Sequence, residues 1–156
     1  TKEARGEAFL FVHADSRLPE GAVDLVRRAL HEGAAAGAFS LGYQGAGPGL
    51  RWIAAWANLR SAWLKLPFGD QGIFCRRDVY EQSGGFRDMA VCDDLDLVRR
   101  LRRLAPLRIL PEKTLTSPRR YQDRGPFRQV LRNWRVQAGY FAGVPAEKLE
   151  RWYNAP

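Results

Sequence analysis

The residues best suited to chemistry in this sequence are acidic side chains placed beside short apolar runs. Asp15 follows the run at residues 9–12, and Asp70 comes just before the run at residues 73–75. A carboxylate just past the carboxyl end of a buried strand lies where open α/β sheets bind ligands. Such a group can hold a hard divalent cation that bridges protein oxygens to substrate phosphates. Asp15 is therefore a candidate metal ligand, with helix capping as the competing interpretation.

A third acidic group has three carboxylates within four residues. Asp93, Asp94 and Asp96 stand at the start of the basic, leucine-rich stretch 97–104. In the structural interpretation, Asp93 caps this helix while Asp94 and Asp96 complement its positive end. The chemical interpretation starts from mutual repulsion, which raises the pKa of one carboxyl and suits it to accept a proton. Spacing alone leaves both interpretations open.

Apolar runs and helical periodicities alternate along the chain and would position these acids. Residues 9–12 predict a strand buried on both faces, as in a parallel sheet. Further predicted strands cover residues 34–43, 73–75 and 107–111, and the last of these is expected to be an edge strand closed by Pro111. With helices between the strands, the pattern predicts an α/β domain.

Two predicted helices are rich in aromatic residues. Residues 50–66 place Trp52, Trp56 and Trp63 at helical spacing, which predicts core or interface packing, whereas an exposed face would suit a membrane surface. Residues 126–141 predict a basic amphipathic helix that packs on the domain through four apolar side chains: Phe127, Val130, Leu131 and Trp134. Basic residues interrupt the longest apolar segment, so no simple membrane-spanning helix is expected.

The charge balance indicates an anionic partner. The 156 residues include 25 Lys and Arg against 17 Asp and Glu, which gives a formal net charge of +8. Nucleic acid, a membrane surface and a nucleotide-linked substrate all fit this charge. The two cysteines are too few for a disulfide framework and fit a reducing compartment. We therefore expect a cytoplasmic protein, with peripheral contact at the inner face of the membrane as an open alternative.

Taken in order, the motifs of this chain resemble a known family. HADS at residue 13, GDQGIF at 69, GGF at 84, DDLDLVRRL at 93 and RRY at 119 are similar to family 2 glycosyltransferases, especially short bacterial members with a His-Ala-Asp motif. The resemblance covers about residues 8–153. It implies a GT-A fold, which is Rossmann-like, and here the C-terminal part of a mostly parallel sheet flanked by helices. The expected organisation is one partial domain, with a sheet core over about 1–111 and a helical region over about 112–156.

The resemblance also implies roles for the acidic residues. Asp15 matches the acid that binds Mn²⁺ or Mg²⁺ on the donor's diphosphate, and His13 stands where many members have the first acid of that motif. Asp94 matches the general base that deprotonates the acceptor hydroxyl, and Asp93 replaces the neighbouring Glu. The implied activity is inverting sugar transfer from a nucleotide-diphosphate donor to an unknown acceptor hydroxyl.

Other matched positions are implied to bind the donor or the acceptor. Asp70 and Gln71 match the stretch beside the two sugars, while Arg119, Arg120 and Tyr121 resemble the basic aromatic motif that closes over the diphosphate. Such enzymes open with about 70 to 100 residues that hold the nucleotide base. This chain lacks them, so we expect a missing N-terminal segment or a partner to complete the sheet, and little activity from this part alone.

A noncatalytic basic module for nucleic acid or an anionic membrane surface is the alternative function. Arginine-rich helices and tryptophans would serve such a module, and they account for the positive charge. They do not account for acids recurring beside apolar strands, and no nucleic-acid-binding motif is recognisable. A nucleic-acid partner is therefore not expected.

Overall fold

The computed structural model of this protein describes residues 3–155, except for the side chains of Arg120 and Arg124. Five strands form one sheet in the order β1-β4-β3-β5-β2. They are β1 (Ala8–Phe11), β2 (Ser16–Arg17), β3 (Ala36–Tyr43), β4 (Ile73–Arg76) and β5 (Leu107–Thr116). The helices found within residues 3–155 are α1 (Ala22–His31), α2 (Pro48–Leu64), α3 (Arg77–Gln82), α4 (Asp93–Leu104), α5 (Arg119–Arg124), α6 (Pro126–Phe141) and α7 (Ala146–Asn154), with a 3₁₀ turn at Gly69–Gln71.

The sheet is mixed. β3 and β5 pair in parallel, whereas β1 with β4, β4 with β3, and β5 with β2 pair antiparallel. The α/β prediction is confirmed, but the prediction of a mostly parallel sheet is wrong. β1 lies at the edge of the sheet, so only Phe9 among its residues is buried, and the prediction of burial on both faces is also wrong.

The core covers both faces of the sheet. On one face Ile73 and Cys75 of β4 belong to a buried cluster with Leu97 of α4. On the other face Phe74 joins a cluster with Val26 of α1. This alternation follows from the two-residue period of a strand, which sends neighbouring side chains to opposite faces. Helices therefore flank the sheet on both sides.

β5 differs from the predicted edge strand because it runs for ten residues between β3 and β2. The register shifts where Phe39 pairs with Leu110 and Ser40 pairs with Lys113, so Pro111 falls in a bulge. A bulge accommodates proline because its missing N–H is not required for the ladder. The predicted boundary near residue 111 thus falls inside a strand.

α2 carries its large aromatic residues outward. The side chains of Trp52, Trp56 and Trp63 are 70%, 49% and 79% exposed, so the prediction of core packing is wrong for this helix. Its inner face packs Leu50, Ile53, Ala54 and Ala57 against β3. On the same side Asn58 bonds both the N–H and the carbonyl of Leu41 at 2.6 and 3.0 Å. Aliphatic packing and polar bonding to β3, rather than aromatic burial, position the helix.

α6 likewise exposes the face that was predicted to pack on the domain. Three of the four apolar side chains predicted to pack on the domain are exposed, namely Phe127, Leu131 and Trp134. Gln129 and Val136 are buried in their place. The packing face of α6 is therefore a mixed polar face, which the apolar periodicity did not predict. Across residues 3–155, no helix combines the length and the apolar character needed to cross a bilayer.

Candidate active site

A cleft of about 310 Å³ opens at one end of the strands. β1, β3 and β5 run in the same direction, so their carboxyl ends lie together at this end of the sheet. The antiparallel β4 begins there. The cleft is lined by side chains from these strand ends, the 3₁₀ turn, the start of α4, and α5 to α7. They include the predicted site residues His13, Asp15, Asp70, Asp93, Asp94 and Tyr121.

Asp94 is held in the cleft by two backbone groups. Its Oδ2 accepts a 2.6 Å hydrogen bond from the Gly69 N–H, and its Oδ1 accepts a 2.7 Å bond from the Leu95 N–H. Burial raises the pKa of Asp94 and outweighs these two bonds, which act to lower it. A carboxylate with a raised pKa and a fixed orientation is suited to accept a proton from a ligand.

The start of α4 differs from the predicted cap. Asp93 is the first residue of the helix, and Cys92 precedes it in the left-handed conformation with a φ of 62°. Cys92, not Asp93, occupies the N-cap position, and its side chain forms no capping hydrogen bond, so the prediction that Asp93 caps the helix is wrong. Both Cys92 and Asp93 line the cleft. A left-handed residue other than glycine costs free energy, and such residues concentrate at functional sites.

Gly69 permits the close approach of two site residues. A Cβ atom at this position would lie 2.4 Å from His13 Nε2 and 3.1 Å from Asp94 Oδ2. The absence of a side chain therefore brings the imidazole and the carboxylate against the same backbone position. Protein side chains therefore already use the space that this glycine leaves open.

Asp70 is buried without full compensation. Its Oδ1 has no hydrogen-bond partner among the described residues. Burial, followed by the charge of Asp94, raises the pKa of Asp70 to about 6. Nearby, the Arg60 guanidinium lies 3.7 Å from the centre of the Phe68 ring, and its Nε and Nη2 also lack partners among the described residues. Unpaired buried polar atoms cost free energy. We therefore expect a ligand or ordered water to bind these atoms of Asp70 and Arg60.

Asp15 is exposed at the cleft and close enough for its charge to raise the pKa of Asp70. Within residues 3–155, no group of three or more His, Cys, Asp or Glu side chains could hold a metal ion by itself. Mg²⁺ is commonly bound by one or two carboxylates together with substrate phosphates and water. Asp15 and the unpaired Oδ1 of Asp70 fit such a shared site, and they do not form a site made of protein ligands alone.

Asp96, the third carboxylate of the acidic group, has a structural role. Its Oδ2 accepts bonds of 2.9 and 2.7 Å from Arg100, and its Oδ1 accepts a 2.8 Å bond from the Tyr140 hydroxyl. Burial acts to raise the pKa of Asp96, but these bonds outweigh it and the net shift is downward. Asp96 therefore ties α4 to α6, while Asp93 and Asp94 line the cleft.

Gln71 lies beneath the site rather than in it. The side chain is fully buried; its Oε1 accepts bonds from Ser61 Oγ and the Phe68 N–H at 2.9 and 3.1 Å, and its Nε2 donates to the Phe39 carbonyl at 3.0 Å. Gln71 does not line the cleft. These bonds anchor the turn that carries Asp70, and the ligand-binding role implied by the resemblance stays a prediction.

Residues of the RRY motif differ in their position relative to the cleft. Arg119 is exposed at the start of α5, 3.6 Å from Asp123, and does not line the cleft. The side chain of Arg120 lies outside the described residues. Tyr121 lines the cleft, and its ring centre lies 5.3 Å from the Tyr43 ring centre. Burial raises the pKa of both hydroxyls, so both stay protonated at neutral pH.

The sequence analysis did not predict that α6 lines the cleft. Gln129, Asn133 and Gln137 line it at intervals of four residues. Gln129 Nε2 donates to Asn133 Oδ1 at 2.8 Å, and Gln129 Oε1 is buried without a partner among the described residues. The regular spacing of these amides is a helical signal that could have identified the face. Tyr43 and Thr116, at the ends of β3 and β5, were also missed.

No protein-family model, curated protein or solved structure matches this chain in the comparisons made with each. The function must therefore be inferred from the chemistry of the cleft.

Proposed function

We propose that this protein is an inverting, metal-dependent glycosyltransferase of family 2 with a GT-A fold, acting in the cytoplasm. It would move a sugar from a nucleotide-diphosphate donor to an acceptor hydroxyl. The observation that carries the proposal is the convergence of His13, Asp15, Asp70, Asp93 and Asp94 on one cleft. These residues come from three separate parts of the chain and meet where the carboxyl ends of β1, β3 and β5 lie together.

Asp94 is the proposed general base. Its raised pKa favours proton acceptance, and the bonds from Gly69 and Leu95 fix the carboxylate. Asp94 would take the proton of the acceptor hydroxyl as that oxygen attacks the anomeric carbon. The bond from that carbon to the diphosphate oxygen breaks on the opposite face, and the leaving diphosphate takes the bonding electrons. The anomeric configuration is inverted.

Asp15 and Asp70 are the residues that would hold Mn²⁺ or Mg²⁺ together with the donor's phosphates. A bound divalent ion would supply neutralisation of the charge that develops on the leaving diphosphate. Asp70 also has an unpaired oxygen available for a ligand hydroxyl. The buried Arg60 guanidinium behind Phe68 adds positive charge near these acids, and this charge acts to lower the pKa of Asp70.

The amides of α6 are the proposed sugar-binding groups. Each amide side chain carries both donors and acceptors, as does each sugar hydroxyl. The buried, unpaired Oε1 of Gln129 adds an acceptor on this side. An acidic cleft that faces neutral amides suits a polyhydroxyl ligand bound through a metal ion better than it suits a nucleic-acid backbone, whose phosphates it would repel. The nucleic-acid alternative therefore receives less support.

Thermal unfolding with a panel of nucleotide diphosphates and nucleotide sugars tests the proposal. The full-length protein should show a raised Tm with one nucleotide series when Mn²⁺ is present, and no rise when the metal is chelated. Asp15→Asn should lose the rise. Asp24→Asn, which changes an exposed carboxylate on α1, should keep it. A Tm that does not respond to any nucleotide diphosphate, or a rise that Asp15→Asn leaves unchanged, would contradict the proposed donor site.

A further inference from the structure

The outward face of α2 is a continuous apolar stripe. Trp52, Trp56, Leu59 and Trp63 recur at intervals of four, three and four residues. At 3.6 residues per turn they fall within about 60° of one another, over about 17 Å of helix. All four side chains are exposed, Trp63 to 79%. We call this surface the tryptophan stripe. It is larger and more regular than scattered surface apolar residues, and it needs a partner.

The opposite face of α2 is fixed to the domain by hydrogen bonds. Asn58 bonds both backbone groups of Leu41, and Ser61 Oγ donates to Gln71 Oε1 at 2.9 Å. Ser61 is fully buried. Turning the helix to bury the tryptophans would break these bonds and leave buried polar atoms unpaired. The outward direction of the tryptophan stripe is thus a fixed property of the fold.

The surroundings of the tryptophan stripe are basic. The sequence contains no Asp or Glu from residue 33 to residue 69. Arg51 is exposed on the same helix, about 100° around its axis from Trp52, Lys65 is exposed just past the end of the stripe, and Arg102 donates to the carbonyl of Leu64. This surface therefore combines apolar aromatic rings with positive charge and carries no negative side chain of its own helix.

We propose that the tryptophan stripe binds in the plane of an anionic lipid membrane. Tryptophan favours the boundary between headgroups and acyl chains, because its ring is apolar and its N–H is polar. Helices that lie in this boundary pair an apolar face with Lys and Arg, which attract anionic headgroups. A second copy of the chain fits less well, because a two-fold contact would bring the Arg51 and Lys65 charges of both copies together. The proposal does not depend on the chemistry of the cleft.

Vesicle flotation tests the proposal directly. The full-length protein should float with phosphatidylcholine vesicles that contain about 30% phosphatidylglycerol, and it should remain unbound with phosphatidylcholine alone. Trp52→Gln, Trp56→Gln and Trp63→Gln together should weaken binding about tenfold or more. The matched control changes exposed residues of α6 instead: Phe127→Gln, Leu131→Gln and Trp134→Gln should leave binding unchanged.

A second measurement covers the case in which the triple variant fails to fold. Brominated lipid should quench the tryptophan fluorescence of the parent protein, and Trp63→Phe should remove more of the quenchable signal than Trp134→Phe. The proposal is overturned if the parent does not bind the anionic vesicles, or if only the α6 variant loses binding. It is also overturned if the parent is a dimer that the α2 substitutions dissociate while vesicle binding is unchanged.

Discussion

The two sides of the cleft differ in chemistry and in how they are built. The strand-end side presents imidazole and carboxyl groups from strand ends, a short turn and the start of a helix, namely His13, Asp15, Asp70, Asp93 and Asp94. The α6 side presents the amides of Gln129, Asn133 and Gln137, which do not titrate. The first side can exchange protons and hold a cation, whereas the second can only exchange hydrogen bonds.

This difference implies a division of labour. On the strand-end side, two short bonds from backbone N–H groups fix the orientation of Asp94. The α6 side is joined to α4 by the bond from Tyr140 to Asp96 and presents neutral groups to the ligand. Changes to the proton-accepting group of the first side, Asp94, should therefore act on kcat, and changes to the amides of the second side should act mainly on KM. The predictions below test this division, beginning with the largest expected effect.

Asp94→Asn should lower kcat for sugar transfer by at least about 10²-fold and leave KM for the donor nearly unchanged. The amide keeps the size of the side chain and one oxygen for the Gly69 or Leu95 N–H, but it cannot accept the proton. Steady-state kinetics with the donor identified by thermal shift provides the measurement.

Asp93→Asn is the matched control for Asp94, because both carboxylates line the cleft at the start of α4. It should retain most of the parent's kcat. Asp96→Asn is not a suitable control, since it breaks the ion pair with Arg100 and should lower stability instead. Equal losses of kcat in the Asp93 and Asp94 variants would mean that the acidic group acts only through its total charge.

Gly69→Ala should lower both stability and kcat, because the new Cβ would overlap His13 Nε2 and crowd Asp94 Oδ2. We expect a loss of less than about 1 kcal/mol in the free energy of unfolding, because the new Cβ meets the ends of side chains that can shift, and a larger effect on kcat, because Asp94 is displaced. Gly49→Ala on α2 is the control, since it has open space around it and should be neutral or slightly stabilising. Urea unfolding and kinetics of both variants check the result, and a fully active, stable Gly69→Ala would show that the close approach is not required.

Asp70 predicts a pH dependence of stability. Its pKa in the folded protein, about 6, lies above the ordinary 3.8, so the folded state keeps this proton to a higher pH than the unfolded chain does. The Asp70 contribution to the free energy of unfolding is therefore full below about pH 4, falls as the pH rises to about 6, and is then lost. The loss amounts to at most about 3 kcal/mol.

Asp70→Asn should remove this contribution, so the parent should lose stability relative to the variant as the pH rises from about 4 to about 6. Urea unfolding of both proteins across this range measures the difference. Asp24→Asn, at an exposed position, should follow the parent. Parallel stability curves for the Asp70 variant and the parent would show that burial does not raise the pKa of Asp70.

Asn133→Ala should give the smallest effect, a rise of about fivefold in KM with kcat nearly unchanged, because one hydrogen bond to the ligand contributes about 1 kcal/mol. Asn154→Ala, at the exposed end of α7, should leave both constants unchanged. A large loss of kcat in Asn133→Ala would remove the distinction between the two sides of the cleft.

The strand-end side could be predicted from the sequence because local signals mark it. Asp15 and Asp94 adjoin an apolar run and a leucine-rich helix, and the resemblance to family 2 glycosyltransferases implied roles for both in one site. The direction of β4 and the central place of β5 could not be predicted, since strand pairing depends on contacts between distant residues.

α2 and α6, whose predicted packing faces are exposed, show why the sequence did not predict the rest of the site. Apolar periodicity predicts which face of a helix is buried only when burial is driven by apolar contacts. In α2 the inner face packs aliphatic residues on β3 and adds hydrogen bonds from Asn58 and Ser61, and in α6 the buried Gln129 takes the place expected for Phe127. Because smaller aliphatic and polar residues form these faces while the aromatic residues stay exposed, the aromatic periodicity assigned the faces to the wrong side.

The transfer of radiolabelled sugar by the full-length protein tests the central claim most directly. Nucleotide sugars selected by thermal shift would be incubated with a mixed pool of acceptors, with Mn²⁺ present or chelated. We predict a labelled product of inverted anomeric configuration that forms only with the metal and is lost in Asp94→Asn. A product that forms equally well without metal, or an Asp94→Asn variant as active as its parent, would contradict the account.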